Sequence, residues 1–201
     1  MLNHTPYTHE KGHLEVICGP MFSGKSEELM RRLRRAKIAK QRVMTFKPSI
    51  DNRHSIEYVV SHDGNKLFAQ ALDDVTSILT IVHQENIDVI GIDEVQFFPT
   101  DVISIICTLI DEGKRVIIAG LDLDFRGVPF GSVPTLLAIA DTITKLNAIC
   151  CICGKDAHCT QRLVNGDCAK YDDPIILIGA QEAYQARCRN CFSIDKRPKL
   201  Y

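Results

Sequence analysis

The sequence predicts an α/β fold: a parallel sheet flanked by helices, followed by a small C-terminal domain that is rich in cysteine. Short β-rich runs alternate with helical stretches from His13 to Ala148, a pattern typical of parallel strands joined by crossover helices. Several of these runs are apolar with little alternation, as expected for strands covered on both faces. Seven of the nine cysteines lie from Cys150 onward, which indicates a second structural unit.

The elements of the first unit follow one another in regular order. The β-rich runs predict strands at Leu14–Cys18, Arg42–Phe46, Val89–Asp93, Val116–Ala119 and Thr144–Leu146. The helical stretches predict helices at Ser26–Lys40, Val75–His83, Val102–Glu112 and Thr135–Ala140. Gly113 is a typical C-terminal stop for the third helix. The alternation stops near Ala148, so we place a domain boundary there.

Composition and charge narrow the possible classes of function. Hydrophobic residues make up 45% and charged residues 24% of the chain, which excludes collagen-like, disordered and low-complexity proteins. The formal net charge of −1 argues against a protein dominated by nonspecific nucleic-acid binding. Basic residues cluster between Arg31 and Lys40, but Leu29, Leu33 and Ala36 supply a buried stripe beside them. We therefore interpret the basic run as a solvated helix face.

Signals for membrane insertion and export are also missing from the sequence. No apolar run approaches the roughly 18 residues needed to cross a bilayer. The residues before Leu14 are polar and lack the apolar core of a secretory signal. Cys18 and Cys107 lie alone in apolar segments, and we interpret each as a buried thiol. We expect a cytoplasmic protein with no membrane partner and no nucleic-acid partner.

A phosphate-binding motif follows the first predicted strand and opens the first predicted helix. The run Gly19-Pro20-Met21-Phe22-Ser23-Gly24-Lys25-Ser26 matches G-x-x-x-x-G-K-[ST] at every fixed position. Glycine lets the backbone wrap closely, so that its N–H groups point at phosphate oxygens. In this motif the lysine reaches the β- and γ-phosphates of ATP and the final hydroxyl binds Mg²⁺. The sequence therefore predicts a P-loop parallel sheet, with Lys25 as a solvent-facing charge that serves phosphate.

Two acidic residues end the apolar run 87–92. A P-loop needs a second Mg²⁺ contact, usually an acid at the end of a buried strand, and Asp93 stands there. Mg²⁺ keeps much of its hydration shell, so we expect Asp93 to hold the metal through water. Glu94 follows at once, and alternation along an extended strand predicts that it points to the opposite side, free to face a substrate.

Two Cys-x-x-Cys pairs predict a structural zinc site. Cys150 and Cys153 form the first pair, and Cys188 and Cys191 form the second. Paired thiolates at this spacing are typical of a tetrahedral Zn²⁺ site that is closed to substrate. Two disulfides are the alternative, which a reducing cytoplasm disfavours, and His158 is a possible alternate ligand. We interpret the intervening segment, 154–187, as a long ordered loop that covers a ligand.

Together these motifs closely resemble the cytosolic-type thymidine kinases, the zinc-containing type II family. The motifs are GPMFSGKS, DEVQFF at Asp93–Phe98, GLDLDFRGVPFG at Gly120–Gly131, and two cysteine pairs flanking an IGA-containing loop with Tyr184. They occur in the family's order from about Leu14 to Phe192. The resemblance implies an N-terminal tail (1–12), a P-loop α/β kinase domain (13–148), a zinc-binding domain with a lasso-like loop (149–192) and a C-terminal tail (193–201).

The resemblance also implies an activity and residue roles. Such a kinase transfers the γ-phosphoryl group of ATP to the 5′-hydroxyl of thymidine, giving dTMP for nucleotide salvage. Glu94 would be the general base, and Lys25 and Arg53 would act on the transferring phosphates. The implied thymidine contacts are the residues Met21, Phe97, Leu121, Phe125, Thr160 and Tyr184, and the backbone of Ile176, Leu177 and Ile178. The two cysteine pairs match the family's zinc ligands, and the family is usually tetrameric and inhibited by dTTP.

Two other functions stay open at this point. A different deoxynucleoside kinase of the same fold would differ only in the shape of its pocket. A nucleic-acid-binding ATPase with a zinc ribbon would need a basic or aromatic surface near the zinc. Segment 154–187 instead carries five acids: Asp156, Asp167, Asp172, Asp173 and Glu182.

Overall fold

A six-stranded sheet forms the centre of the structure, a computed structural model that describes residues 11–49, 58–60, 66–175 and 182–195. The described strands are β1 (His13–Cys18), β2 (Val43–Pro48), β3 (Tyr58–Val60), β4 (Lys66–Phe68), β5 (Gln70–Leu72), β6 (Val89–Ile92), β7 (Arg115–Gly120), β8 (Thr142–Lys145), β9 (Ala148–Ile149), β10 (Asp156–Ala157), β11 (Cys159–Val164), β12 (Asp167–Cys168) and β13 (Glu182–Arg187). The described helices are α1 (Lys25–Ile38), α2 (Ser77–Gln84), α3 (Val102–Asp111) and α4 (Val133–Ile139), with one 3₁₀ turn at Val95–Phe97.

The central sheet confirms the predicted α/β class. Its strand order is β5-β2-β6-β7-β1-β8, and every neighbouring pair is parallel. Strand β1 lies between β7 and β8, so that Val16 pairs with Ile118 on one side and Ile143 on the other. The carboxyl ends of parallel strands meet at one edge of the sheet, where ligands bind in such folds. The segments after β1, β6 and β7 therefore begin side by side.

Helices cover both faces of this sheet, as the apolar strand runs predict. On one face, Leu29 and Leu33 of α1 pack against Ile17 and Ile117. The other face carries the larger cluster, where residues of α2, α3 and α4 pack against the strand residues that alternate with those of the first face. This cluster includes Leu14, Val16, Ile78, Val82, Ile90, Ile92, Val102, Ile106, Leu109, Ile118, Val133 and Leu136. Successive strand residues point to opposite faces, which explains why runs such as Val16–Ile17 are apolar without alternation.

The C-terminal part is built from short antiparallel strands. β9 pairs with β10, and β11 is the middle strand of a three-stranded sheet with β12 and β13. The interpretation of 154–187 as a long loop is therefore wrong over its described residues. Hydrophobic patterning does not predict β11, because this strand buries polar side chains: Gln161 and Arg162 are both 0% exposed. Such side chains are tolerated inside a protein where they find hydrogen-bond partners.

The bounds of the predicted elements differ from those of the structure by at most two residues. Helix α1 begins at Lys25 and ends at Ile38, because Lys40 adopts a left-handed backbone conformation with φ 63°. Strands β3, β4 and β5 and the strands of the C-terminal part were not predicted. In the described ranges, no helix combines the length and the apolar character needed to cross a membrane. Cys18 is buried as predicted, whereas Cys107 is half-buried.

Candidate active site

The loop between β1 and α1 has the geometry that its motif requires. Gly19 has φ 146°, and a Cβ atom there would lie 2.3 Å from the backbone oxygen of Leu146. Ser23 closes the loop by donating from its hydroxyl to the oxygen of Pro20 at 2.8 Å. Phe22 stands at the loop tip with a side chain that is 44% exposed, and Gly24 is the N-cap of α1. The predicted strand–loop–helix context is present.

Lys25 lies inside this loop and not on the surface, contrary to the prediction of a solvent-facing charge. The residue is 8% exposed, and its Nζ donates to the oxygen of Pro20 at 2.7 Å. Burial lowers the pKa of Lys25, while the charges of Glu94 and Asp93 oppose that shift. The sequence could not show this burial, because it depends on the folded shape of the loop, which places the Pro20 oxygen against Nζ.

Asp93 and Ser26 are in direct contact. Asp93 follows β6 and is 6% exposed, and the Ser26 hydroxyl donates to its Oδ2 at 3.0 Å. Desolvation, and secondly the neighbouring Glu94 charge, raises the pKa of Asp93 to about 7, against the hydrogen bond from Ser26. A carboxylate and a hydroxyl side by side form a donor set made only of oxygens, which fits the ligand preference of Mg²⁺.

Glu94 is oriented by a turn and not by strand alternation, which corrects the prediction. β6 ends at Ile92, and Glu94 has φ 52° and ψ 40° as the N-cap of the 3₁₀ turn. Its backbone N–H donates to Asp93 Oδ1 at 3.0 Å. The half-buried Glu94 carboxylate accepts a hydrogen bond from Gln96 Nε2. Gln96, 3% exposed, also accepts from the Leu121 N–H at 3.0 Å through Oε1.

Three residues that sequence reasoning did not single out complete this edge of the sheet. Gln96 connects Glu94 to the end of β7. In the sequence, only its place inside the DEVQFF motif indicates that Gln96 belongs to the site. Asp122 follows β7 and forms a 2.8 Å ion pair with Lys145 of β8. Because β1 lies between these two strands, the ion pair spans the start of the phosphate loop. Burial, and secondly the Asp122 charge, raises the pKa of Cys18 in β1 to about 11.

Six of the implied thymidine contacts lie within the described residues. The Met21 N–H donates to Thr160 Oγ1 at 3.0 Å, which joins the phosphate loop to β11. Phe97 packs edge-on against Phe130, with ring centroids 5.4 Å apart. Leu121 is held at the end of β7 by Gln96. Phe125 is 5% exposed, and Tyr184 of β13 pairs in register with Arg162 of β11. Arg53 and Ile176, Leu177 and Ile178 lie outside the described residues.

The two cysteine pairs come together as predicted. The Sγ atoms of Cys150, Cys153, Cys188 and Cys191 lie within 4.8 Å of one another. Backbone N–H donors, first that of Cys188, lower the pKa of Cys150 to about 6, whereas side-chain contacts with Cys188 and Cys153 raise the pKa of Cys191 to about 12. Zinc binds cysteine in the thiolate form. Four converging thiols from two Cys-x-x-Cys turns fit a tetrahedral Zn²⁺ site. His158 instead contacts Asn147 Oδ1 at 2.9 Å, and Cys151 contacts Gln185 Oε1 at 3.4 Å.

A known protein family matches almost the whole chain. Its family model, described as thymidine kinase, matches residues 12–192. The match begins one residue before β1 and ends one residue after Cys191, so it includes the phosphate loop, both acids and both cysteine pairs. It supports ATP-dependent phosphotransfer to thymidine and gives no support to the two alternative functions considered from the sequence. The chain belongs to the thymidine kinase family.

Proposed function

We propose that the carboxyl edge of the central sheet is where the γ-phosphoryl group of ATP passes to the 5′-hydroxyl of thymidine, with Glu94 as the general base. One observation supports this assignment above the others: Lys25, at the start of α1, lies close enough to Asp93 and Glu94, which follow β6, for their charges to act on its pKa. A phosphate-binding cation, a metal-binding acid and a second acid are the groups that phosphoryl transfer requires.

The phosphate loop would bind and orient the triphosphate. Phosphoryl transfer leaves little covalent work to a protein, so alignment and charge stabilisation dominate the catalysis. Lys25 now donates to the Pro20 oxygen, and in the proposal phosphate oxygens replace that carbonyl as its acceptor. Arg53 is proposed to add a second positive charge near the transferring group.

Ser26 and Asp93 are proposed to hold Mg²⁺. Their contact at 3.0 Å brings a hydroxyl and a carboxylate oxygen together beside the phosphate loop. Bound there, the metal would neutralise charge that develops on the β- and γ-phosphate oxygens. In this arrangement Asp93 serves the metal, which leaves Glu94 for the nucleoside.

Glu94 would accept the proton of the 5′-hydroxyl. The 5′-oxygen forms a bond to the γ-phosphorus, the bond from that phosphorus to the β,γ-bridging oxygen breaks, and ADP leaves. Gln96 is proposed to orient the Glu94 carboxylate, since one end of its amide contacts Glu94 and the other is fixed by the Leu121 N–H. General-base catalysis of this kind contributes roughly 10²–10⁴-fold to the rate.

The nucleoside is proposed to lie between the phosphate loop and β11. The bond between Met21 and Thr160 fixes these two sides of the pocket relative to each other. Leu121, Phe97, Phe125 and Tyr184 are proposed to surround the base and sugar, and the backbone of residues 176–178 to pair with the thymine edge.

The proposal is tested by ADP release with ATP and Mg²⁺ against a panel of nucleosides and single-stranded DNA. We expect turnover with thymidine and no stimulation by DNA. Glu94→Gln should lower kcat by roughly 10²–10⁴-fold with little change in KM for thymidine, because glutamine still hydrogen-bonds the hydroxyl. Glu85→Gln, an exposed change at the end of α2, is the matched control and should leave kcat unchanged. A fall of less than about tenfold in Glu94→Gln would exclude Glu94 as the base.

Assembly, regulation and location are further parts of the proposal. The family resemblance supports a homotetramer, dTTP feedback inhibition, and a domain boundary near Ala148. Strand β8 is the last strand of the central sheet among the described residues, and its Ile143 is 51% exposed, which also supports self-association. A four-thiolate zinc site requires reduced cysteines, which supports a cytoplasmic location. Light scattering, and inhibition of thymidine phosphorylation by added dTTP, test the first two points.

A further inference from the structure

Arg162 is a charged side chain that the proposed chemistry does not use. It stands in the middle of β11 with an exposed fraction of 0%, and it is the largest fully buried side chain in the described ranges. Burying an ionised group is unfavourable unless the group is well paired. Its contacts therefore indicate what this arginine does.

The guanidinium group of Arg162 has three kinds of partner. Its Cζ lies 3.6 Å from the centroid of the Phe125 ring, so the cation stacks on the aromatic face. Its Nη1 donates to the backbone oxygen of Pro174 at 2.6 Å and to that of Ile175 at 3.3 Å. Nη2 lies 3.8 Å from Asp173 Oδ2. One side chain thus joins the segment after β7 to the segment after β12.

Arg162 also stands on the same side of β11 as Thr160. Residues two apart on a strand point to the same face, and the Thr160 hydroxyl on that face accepts the hydrogen bond from Met21. The intervening Gln161 turns the other way, where its Oε1 accepts from the Ser193 N–H at 2.9 Å. The strand therefore directs Arg162 toward the phosphate-loop side of the molecule.

Of the two described arginines that lie over the Phe125 ring, Arg162 is the nearer. The neighbouring Arg126 lies farther from the ring, at 5.9 Å from its centroid. Arg126 is paired instead with Asp124, whose Oδ1 accepts the backbone N–H groups of Arg126 and Val128 at 2.8 and 3.1 Å. The backbone around Phe125 is thus fixed by Asp124, while its ring face is fixed by Arg162.

We propose that Arg162 is a positioning residue for thymidine, which holds the Phe125 ring and the Pro174–Ile175 backbone in the arrangement that the nucleoside requires. The inference rests on the proposed function, because the contact between Phe125 and thymidine comes from the family resemblance. Arg162 acts through Phe125 and does not touch the phosphates, so its loss changes nucleoside binding and leaves ATP binding in place.

The test compares Arg162→Met and Arg162→Lys with Arg32→Met. Methionine fills a similar space without charge, and lysine keeps the charge but loses the planar group that stacks and donates twice. Arg32 is the matched control: its side chain is only 11% exposed and is ion-paired with Glu15, at the amino end of β1. A merely structural role would make Arg162→Met behave like Arg32→Met.

We expect Arg162→Met to raise KM for thymidine about tenfold or more, the effect of losing one buried charged contact, with KM for ATP changed less than about twofold. Arg162→Lys should restore less than half of that loss. Arg32→Met should change neither KM. Combining Arg162→Met with Phe125→Leu should raise KM no further than the larger single effect, because both changes remove the same ring position.

Several results would overturn the inference. One is an unchanged KM for thymidine in a folded Arg162→Met enzyme whose Phe125→Leu counterpart is impaired. Another is an equal rise in both KM values. Failure of both Arg162 variants to fold, while Arg32→Met folds, would make Arg162 a residue needed by the fold alone. Failure of the proposed function is distinguishable, because then the unmodified enzyme itself would release no ADP with thymidine.

Discussion

Replacing Gly19 with alanine should damage the phosphate loop more than its small size suggests. Two separate costs apply there: the backbone has φ 146°, and the new Cβ would lie 2.3 Å from the Leu146 oxygen. A strained backbone conformation of this kind costs about 1–3 kcal/mol, and overpacking against a backbone atom costs about 1–3 kcal/mol more. We expect Gly19→Ala to lower the free energy of unfolding by about 2–6 kcal/mol and to raise KM for ATP.

Two other glycines separate these costs. Gly166 has φ 90° with nothing within 4 Å of an added Cβ, so Gly166→Ala carries the backbone cost alone. Gly12→Ala places its Cβ 1.9 Å from the Lys114 oxygen without a left-handed φ, so it carries the overlap alone. Urea unfolding with zinc in excess gives the stability of each variant, and steady-state kinetics give KM for ATP. An unfolding free energy for Gly19→Ala equal to that of Gly166→Ala, with KM for ATP unchanged, would refute the reasoning.

Three further predictions concern single side chains. Lys25→Met should lower kcat by about 10²–10³-fold yet leave the melting temperature nearly unchanged, because burial already disfavours the charged amine; a large loss of stability would contradict this account. Cys188→Ser should release zinc, measured by metal analysis, while Cys168→Ser, whose thiol contacts Ser193 and not the cluster, should retain one zinc per chain. The raised pKa of Cys18 means that the folded state resists thiol ionisation. Unfolding free energy should therefore fall as pH rises from about 9 to about 11, and Cys18→Ala should reduce that fall in pH-dependent urea titrations.

The central sheet and the phosphate loop could be predicted because their determinants are local. Runs such as Val16–Ile17 are apolar on both faces, and glycines at fixed spacing permit only a few loop conformations. The cysteine cluster belongs to the same class, because the Cys-x-x-Cys spacing itself brings two thiols to one metal.

The remaining features depend on partners that are distant in the chain. Arg162 can be buried in β11 because its acceptors and its aromatic partner converge from two other segments. The burial of Lys25 depends on the closed shape of the loop around it. Glu94 adopts a left-handed conformation that glutamate seldom takes, so strand alternation gave the wrong reason for its orientation. In each case a tertiary contact overrides the conformation or the exposure that the local sequence favours.

The bond between the Met21 N–H and the Thr160 hydroxyl has a thermodynamic consequence. Met21 belongs to the loop proposed for ATP, and Thr160 is the second residue of β11, the strand that also carries Arg162. A ligand that tightens the loop around Met21 therefore also favours the bonded position of β11. By linkage, the same coupling free energy must act in the reverse direction. We therefore expect nucleotide bound to the loop to stabilise the position of β11, and a ligand bound beside β11 to favour nucleotide binding.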